Sequence, residues 1–433
     1  MRRYRKSKFN KFLTIIALSL TFFVTIGYAR LKETLTINSS AKFSPIPVLK
    51  ATYEDDENAF RSSTYKEKIK TITFEDKINV PNNAIESWDV SEQQNGAYMA
   101  YVLHNETDST FYDLYIQGNG KIYANQDMSY WFKGLSYVDS INNIDLLDTE
   151  ITNNMSSMFD HTGYNSPVFT LDISNFDTSK VTDMSNMFNQ TGFYSPVFTL
   201  DISNFDTKNV TDMNSMFLST GYSSPTFNLD LSSFDTSKVT DMSKMFWYSG
   251  YSNTEFTLDI SNFDTSNVTN MYGMFVNTGY NSTIFTLDVS NFNTSKVIDM
   301  SYMFWQTGNN STIFTLDVSS FDTSNVTNMH QMFTGAGFLS PIFTMDVSGF
   351  NTGKVTNMSQ MFYLTGYSST KLNTSIIIKN PNTTSYASMF NGVATKEGSQ
   401  IIVNYTSETS DLVDAMIATK SYNSNVVKGV QVD

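Results

Sequence analysis

The chain has 433 residues with 42 acidic and 28 basic side chains, a formal net charge of −14, and no cysteine. The missing cysteines exclude disulfides, thiolate metal sites, a cysteine nucleophile and a lipid-modified N-terminal cysteine. The acidic balance argues against nucleic acid and anionic polymers, which select Lys/Arg stripes, and favours solubility.

The chain opens with MRRYRKSKFNK, which carries Arg2, Arg3, Arg5, Lys6, Lys8 and Lys11, followed by 18 mostly apolar residues from Phe12 to Ala29. A basic stretch before an apolar run reads as an export signal, so residues 1–29 are assigned to export. Two fates stay open. Gly27-Tyr28-Ala29 offers a small-x-small cleavage site, and the run is also long enough for an N-terminal membrane anchor. Both place the remainder outside the cell by the positive-inside rule. Cleavage removes six basic and no acidic residues, taking the net charge from −14 to −20.

Residues 30–122 are expected to form a spacer and a β-rich N-terminal cap. Leu31–Asp56 is rich in turn formers, and the only non-repeated acidic cluster, Glu54-Asp55-Asp56-Glu57, falls there. Strands are predicted at Thr71–Phe74 and Ser87–Val90. Ala97–Leu103 and Phe111–Gln117 should form a hairpin around HNETDST.

From 123 to 391 the chain is a repeat. Met-Phe recurs every 29 residues from Met158-Phe159 to Met361-Phe362, with looser copies at Trp131-Phe132 and Met389-Phe390. A fixed period of this size marks a solenoid, in which each unit buries its apolar face by stacking on its neighbours. In the copy from Pro167 to Gly192, Phe169, Leu171 and Ile173 alternate with Thr170, Asp172 and Ser174, which predicts a half-buried strand. Asp177-Thr178-Ser179 forms a polar corner. Val181, Met184, Met187 and Phe188 follow at helical spacing, with Thr182 as N-cap and Asp183 favouring the helix dipole. Glycine recurs at Gly163, Gly192, Gly221, Gly250, Gly279, Gly308, Gly337 and Gly366, as a left-handed C′ position requires. Of 22 methionines, 17 fill the two Met columns, where flexible thioethers suit a core that must repeat. Rungs about 4.8 Å apart would make roughly ten of them a parallel sheet about 45 Å long.

Residues 392–433 read as a second cap. Gln400–Tyr405 and Val426–Val432 are predicted strands, and Asp411–Ala418 a helix capped by Ser410. Caps of different sequence close a solenoid's ends. The terminal VVKGVQVD shows no hydrophobic tail or sorting signal, so wall anchoring by that route is not expected. The expected fold class is α/β: a right-handed leucine-rich-repeat-like solenoid of strand-plus-short-helix repeats with a parallel sheet. Its N-terminal cap is β-rich and its small C-terminal cap is α/β.

The run LDISNFDTSKVTDMSNMF, Leu171 to Phe188, resembles the hallmark of BspA-like leucine-rich-repeat bacterial surface proteins, the repeat class also found in mycoplasma lipoproteins. It recurs as Leu200–Phe217, Leu229–Phe246, Leu258–Phe275, Leu287–Phe304, Leu316–Phe333 and Met345–Phe362. The resemblance runs from about Tyr123 to Asn391, and the stretch KTITFEDKINVP…SWDVSEQQNG is similar to the leader such proteins carry. This chain departs by an inserted Gly-aromatic-x-Ser/Asn-Pro/Thr segment beside the strand, so a relative's ligand does not transfer. The resemblance implies adhesion or partner binding at a bacterial surface, without catalysis.

Three ladders are candidates for function. Asp172, Asp201, Asp230, Asp259, Asp288, Asp317 and Asp346 line the outward side of the strands. Stacked like charges repel, which bound cations or hydrogen bonds to Ser and Thr rows would relieve. The second ladder follows the glycine: Tyr164, Phe193, Tyr222, Tyr251, Tyr280, Phe338 and Tyr367, broken at Asn309. It suits either the contact that accompanies a glycine helix stop or a stacking platform for sugars and peptides. The third follows Met-Phe: Asp160, Asn189, Leu218, Trp247, Val276, Trp305, Thr334 and Tyr363. Its apolar members are packing between rungs or an exposed partner site. The residues singled out for ligand binding are Leu218, Trp247, Trp305, Tyr222, Tyr251 and Tyr280.

His104, His161 and His330 lie in unrelated contexts without triad or metal-ligand spacing, and no strict copy breaks to place a unique acid and base. No enzyme activity, cofactor or metal is expected. The reading is an exported adhesin-like protein whose partners are protein or glycan ligands outside the cell. The alternative is an envelope scaffold that associates with itself.

Overall fold

The computed structural model describes residues 46–57 and 59–432; the export segment and the first part of the spacer lie outside the described residues. The N-terminal cap is built from β1 (Ile69–Glu75), β2 (Glu86–Asp89), β3 (Tyr98–His104) and β4 (Tyr112–Gly118). β3 and β4 pair as the expected antiparallel hairpin, Tyr98 opposite Gly118 and His104 opposite Tyr112. β1 lies parallel to β4 on one side and to β6 (Ser140–Asn142) on the other, and the short β5 (Ile122–Tyr123) pairs in parallel with β7 (Leu147–Asp148). The sheet then continues through β8 (Val168–Asp172) into β9 (Val197–Asp201). The cap therefore shares a sheet with the first rungs and covers their open edge, which would otherwise template aggregation. The chain just before it is tied in too: Trp131 Nε1 donates to the Lys50 carbonyl at 2.8 Å and Thr52 Oγ1 to that of Ser129 at 2.7 Å.

Each rung holds a short strand that buries alternate side chains. In β8, Phe169 and Leu171 point inward, while Val168, Thr170 and Asp172 are exposed. β8 and β9 run parallel with identical positions paired, Phe169 to Phe198 and Thr170 to Thr199. The same register joins β10 (Glu255–Leu258) to β11 (Ile284–Leu287), and β12 (Ile313–Leu316) to β13 (Ile342–Met345). The rung between β9 and β10 has no strand. There Asn228 replaces the outward Thr, and Asn253 Nδ2 of the next rung donates to the Phe227 carbonyl at 2.7 Å. Asn is a poor strand residue, and its amide competes with the backbone ladder.

The short helix expected in every repeat is not formed; the only α-helix among the described residues is in the C-terminal cap. Met184 to Gly192 instead runs as successive tight turns. Met187, Asn189 and Thr191 donate N–H to the carbonyls of Met184, Asn186 and Phe188, three residues back. The alternate N–H groups, on Met184, Asn186, Phe188 and Gln190, donate to Asp212, Asn214, Met216 and Leu218 of the next rung. Backbone donors thus alternate between their own rung and its neighbour, and none of these seven is left unpaired. Such turns need left-handed residues, and each full repeat supplies three: here Asn186 (φ 55°), Gln190 (φ 54°) and Gly192 (φ 60°). Thr182, expected as an N-cap, instead has its Oγ1 3.2 Å from the Asn153 carbonyl of the previous rung. Asp183 accepts the Ser185 N–H at 2.9 Å in an Asx turn rather than facing a helix dipole. The architecture is a parallel β-solenoid.

The core follows the columns. Phe132, Phe159, Phe188, Phe217, Phe246, Phe275, Phe304, Phe333, Phe362 and Phe390 form one unbroken stack, neighbouring centroids 5.2–6.0 Å apart. Rings at that separation gain stacking energy beyond their burial. The Met columns are fully buried beside them. Interior hydroxyls are satisfied by other rungs: Thr191 Oγ1 donates to the Phe159 carbonyl at 2.7 Å and Thr278 to that of Phe246 at 2.8 Å.

The C-terminal cap contains β14 (Asn373–Ile378), β15 (Gln400–Tyr405), α1 (Ser410–Ala418) and β16 (Val426–Gln431), the three strands parallel. The helix begins one residue earlier than expected, with Thr409 at its N-cap, and the Thr409 hydroxyl donates to the Ile378 carbonyl at 2.7 Å. Among the described residues no helix is long and apolar enough to cross a membrane.

Candidate ligand-binding face

The glycine that closes the run of turns positions the residue after it. Gly192 takes φ 60°, and a Cβ there would lie 2.5 Å from the Phe198 ring of its own rung's strand. Glycine is required for backbone conformation and for space alike. The following aromatics stack on one another: Tyr164 to Phe193 at 5.0 Å, Phe193 to Tyr222 at 4.5 Å, Tyr222 to Tyr251 at 4.4 Å and Tyr251 to Tyr280 at 4.9 Å. Their planes lie within 13° of parallel. All five rings are partly exposed, so the stack presents one long edge to solvent. Partial burial, reinforced by Tyr251, pushes the Tyr222 phenol well above its ordinary value. Burial also raises Tyr164 and Tyr280.

The ladder after Met-Phe is less uniform than expected. Leu218, Trp247 and Trp305 are partly exposed, but Val276 between the tryptophans is fully buried, so the four do not form one continuous patch. Trp247 belongs to a local cluster. Lys244 Nζ lies 5.9 Å from its ring and 5.6 Å from that of Tyr272, while Tyr248 packs edge-on to Tyr222 and Tyr251 at 5.6 and 5.5 Å. Asp160, the first member, is buried and paired with Lys133 at 3.1 Å. The structure brings the second and third ladders together at one place, a cavity of about 220 Å³ whose walls include Tyr280, Trp305 and Phe338.

The outward Asp ladder is held by its own loops. Asp172 accepts the Ser174 N–H at 3.1 Å and its hydroxyl at 2.7 Å, and Asp201, Asp259 and Asp317 repeat both contacts. Hydrogen bonds from the serines hold the Asp230, Asp259 and Asp317 carboxyls below their ordinary range. Among the described residues no group of three or more His, Asp or Glu is placed to hold a metal ion. The histidines are scattered: His104 stacks on Tyr112, His161 contacts Asp160, and His330 Nε2 lies 3.1 Å from the Tyr302 hydroxyl.

Sequence reasoning missed three features. One is a second acidic column, Asp127, Asp183, Asp212, Asp241 and Asp299, bridged rung to rung with Asn154, Asn270, Asn328 and Asn357 at the copies between and beyond. Burial, with Asp183 and Asp241 on either side, raises the Asp212 carboxyl. The repeat spells this column out, but the helical reading assigned Asp183 to a helix dipole. The second is exposed apolar side chains along the strand face, Val168 with Val197 and Ile284 with Ile313 and Ile342, separated by Thr226 and Glu255. The third is Arg61, buried in the cap with no hydrogen-bond partner for Nε, Nη1 or Nη2, beside a cavity of about 450 Å³ that Trp88 and Trp131 also line. No sequence signal distinguishes it.

Comparison with protein families matches the description "Mycoplasma protein of unknown function, DUF285" at residues 126–248, 193–311, 219–339 and 280–405. The overlapping matches cover the whole span from 126 to 405. No curated protein and no solved structure matches.

Proposed function

We propose that this chain, which belongs to the mycoplasma protein family DUF285, is an exported surface protein that binds protein or glycan ligands outside the cell. In this reading its repeats are of the BspA-like leucine-rich kind and its aromatic ladder is the contact surface. The stack from Tyr164 to Tyr280 carries the proposal: five partly exposed rings in register on a rigid support. Amphipathic rings held rigidly give contact area at little entropic cost and favour sugars, peptides and other extended ligands. The basic and apolar stretch at residues 1–29 supports export, and the net charge of −14 favours cation-rich ligands over nucleic acid.

The test is binding of the full chain to immobilised matrix proteins and glycans. Saturable binding that weakens at least about tenfold when Tyr222 and Trp247 both become Ala supports the reading. Binding indifferent to both residues, or none to any surface tried, removes it.

The exposed run of Ile284, Ile313 and Ile342 favours a second reading, an envelope scaffold in which copies associate through the strand face. In that case sedimentation of the full chain shows concentration-dependent size, and Ile284→Lys with Ile313→Lys abolishes it.

A further inference from the structure

The aromatic ladder has one missing rung. Tyr280 is stacked 4.9 Å from Tyr251, and Phe338 5.2 Å from Tyr367, but the rung between Tyr280 and Phe338 carries Asn309. Two rung spacings separate the flanking rings by about 10 Å, and parallel rings stack well at about 4.5–5 Å, so the gap matches one further ring. A cavity of about 220 Å³ lies there, walled by Tyr280, Trp305, Phe338, Tyr363 and Leu364 with Asn309 among them. Asn309 is 2 % exposed, and its side-chain amide makes no hydrogen bond to any described residue. By contrast Gln331, also at the cavity, is engaged with Gln360 at 2.6 Å.

We infer that this gap is a binding site for an aryl ring, a tyrosine side chain supplied by a partner polypeptide. The inference rests on the reading of the ladder as a binding surface and names what one position of it takes. The occupant is indicated by the other rungs, where the equivalent place is filled by Tyr or Phe stacked face to face. The walls are mainly hydrocarbon, which suits a flat apolar ring better than a hydroxylated sugar. The unpartnered Asn309 amide offers a donor and an acceptor, which a phenol uses and a benzyl group does not. The ring would therefore complete a stack whose two halves are already fixed in place, with little ordering left to oppose it.

The test titrates the full chain with N-acetyl-L-tyrosinamide, followed by tryptophan fluorescence and by ligand-observed NMR. The expected result is saturable binding, tighter for the tyrosine than for the phenylalanine amide. It should fall more than tenfold in Asn309→Tyr, which fills the gap with the ladder's own ring, while that variant melts no lower than wild type. If Asn309→Tyr does not fold, Phe338→Leu removes one wall instead and should weaken binding at least fivefold. No binding by wild type, equal binding by Asn309→Tyr or by Phe338→Leu, or preference for a methyl glycoside overturns the inference. A macromolecular ligand that still needs Tyr222 but is indifferent to Asn309→Tyr leaves the binding face standing and removes the aryl site alone.

Discussion

The indole of Trp247 occupies the space that a side chain on residue 273 of the next rung would need: a Cβ on Gly273 would lie 2.7 Å from Trp247 Cζ3. Position 273 is also left-handed, φ 60°, in a column where other rungs place Ser157, Asn186, Lys244 and Tyr302. Those residues tolerate the backbone; the indole is what makes glycine necessary here. Gly273→Ala is expected to cost about 2–4 kcal/mol, combining left-handed strain with overpacking. It should also shift tryptophan emission toward the red as the indole is displaced. An unchanged melting temperature and emission spectrum would contradict the contact.

Asp212 sits between Asp183 and Asp241 with its carboxyl raised by burial and by those neighbours. A carboxyl raised in the folded state destabilises the fold above its folded pKa, and that cost vanishes as pH falls through it to the unfolded value. Asp212→Asn keeps the acceptor for the Asn214 N–H, at 2.8 Å, and removes the charge. The variant should melt higher than wild type at pH 7, by up to about 1 kcal/mol, and the difference should close near pH 3. A constant difference across that range would show that the charge is not the cause.

Arg61 is buried with its whole guanidinium unpaired, and burial lowers its pKa despite the charge of Asp56 nearby. Removing an uncompensated buried charge in favour of an apolar side chain of similar volume stabilises by about 1–4 kcal/mol. Arg61→Met should therefore raise the unfolding midpoint of the cap in a denaturant titration. A lower midpoint would mean that the guanidinium has a partner in solution.

Phe246 lies midway in the stack, 5.9 Å from both Phe217 and Phe275. Phe246→Ala should cost about 3–5 kcal/mol, and in a quasi-one-dimensional array the loss stays with the nearest rungs. Amide exchange should accelerate around Phe217 and Phe275 and remain slow in β3 and β4. Uniform acceleration would argue for a chain that opens as a single unit.

The repeat period, the inward Phe169 and Leu171, the left-handed glycines and the cap strands were all legible, because each depends on local alternation or on one backbone constraint. The helix was misread because consecutive β-turns bury Val181, Met184, Met187 and Phe188 at the spacing a helix would use. The discriminating residues, Asn186 and Gln190, are left-handed yet not glycine, so nothing in their identity announces the turns. The aromatic ladder followed directly from the position after Gly192. The burial of Val276 between two half-exposed tryptophans did not, since column position alone does not say how far each rung's turn swings outward.

The alternation of backbone donors has a mechanical consequence. Hydrogen bonds between rungs run along the solenoid axis, from Phe188 to Met216 and from Phe217 to Met245, while each rung's turns close upon themselves. A pull on the two caps therefore loads the inter-rung seams in series, so that they open one after another rather than shearing together. Each rung that yields releases about 29 residues, roughly 100 Å of slack at about 3.5 Å per residue. A stack of this kind lengthens in equal steps under load.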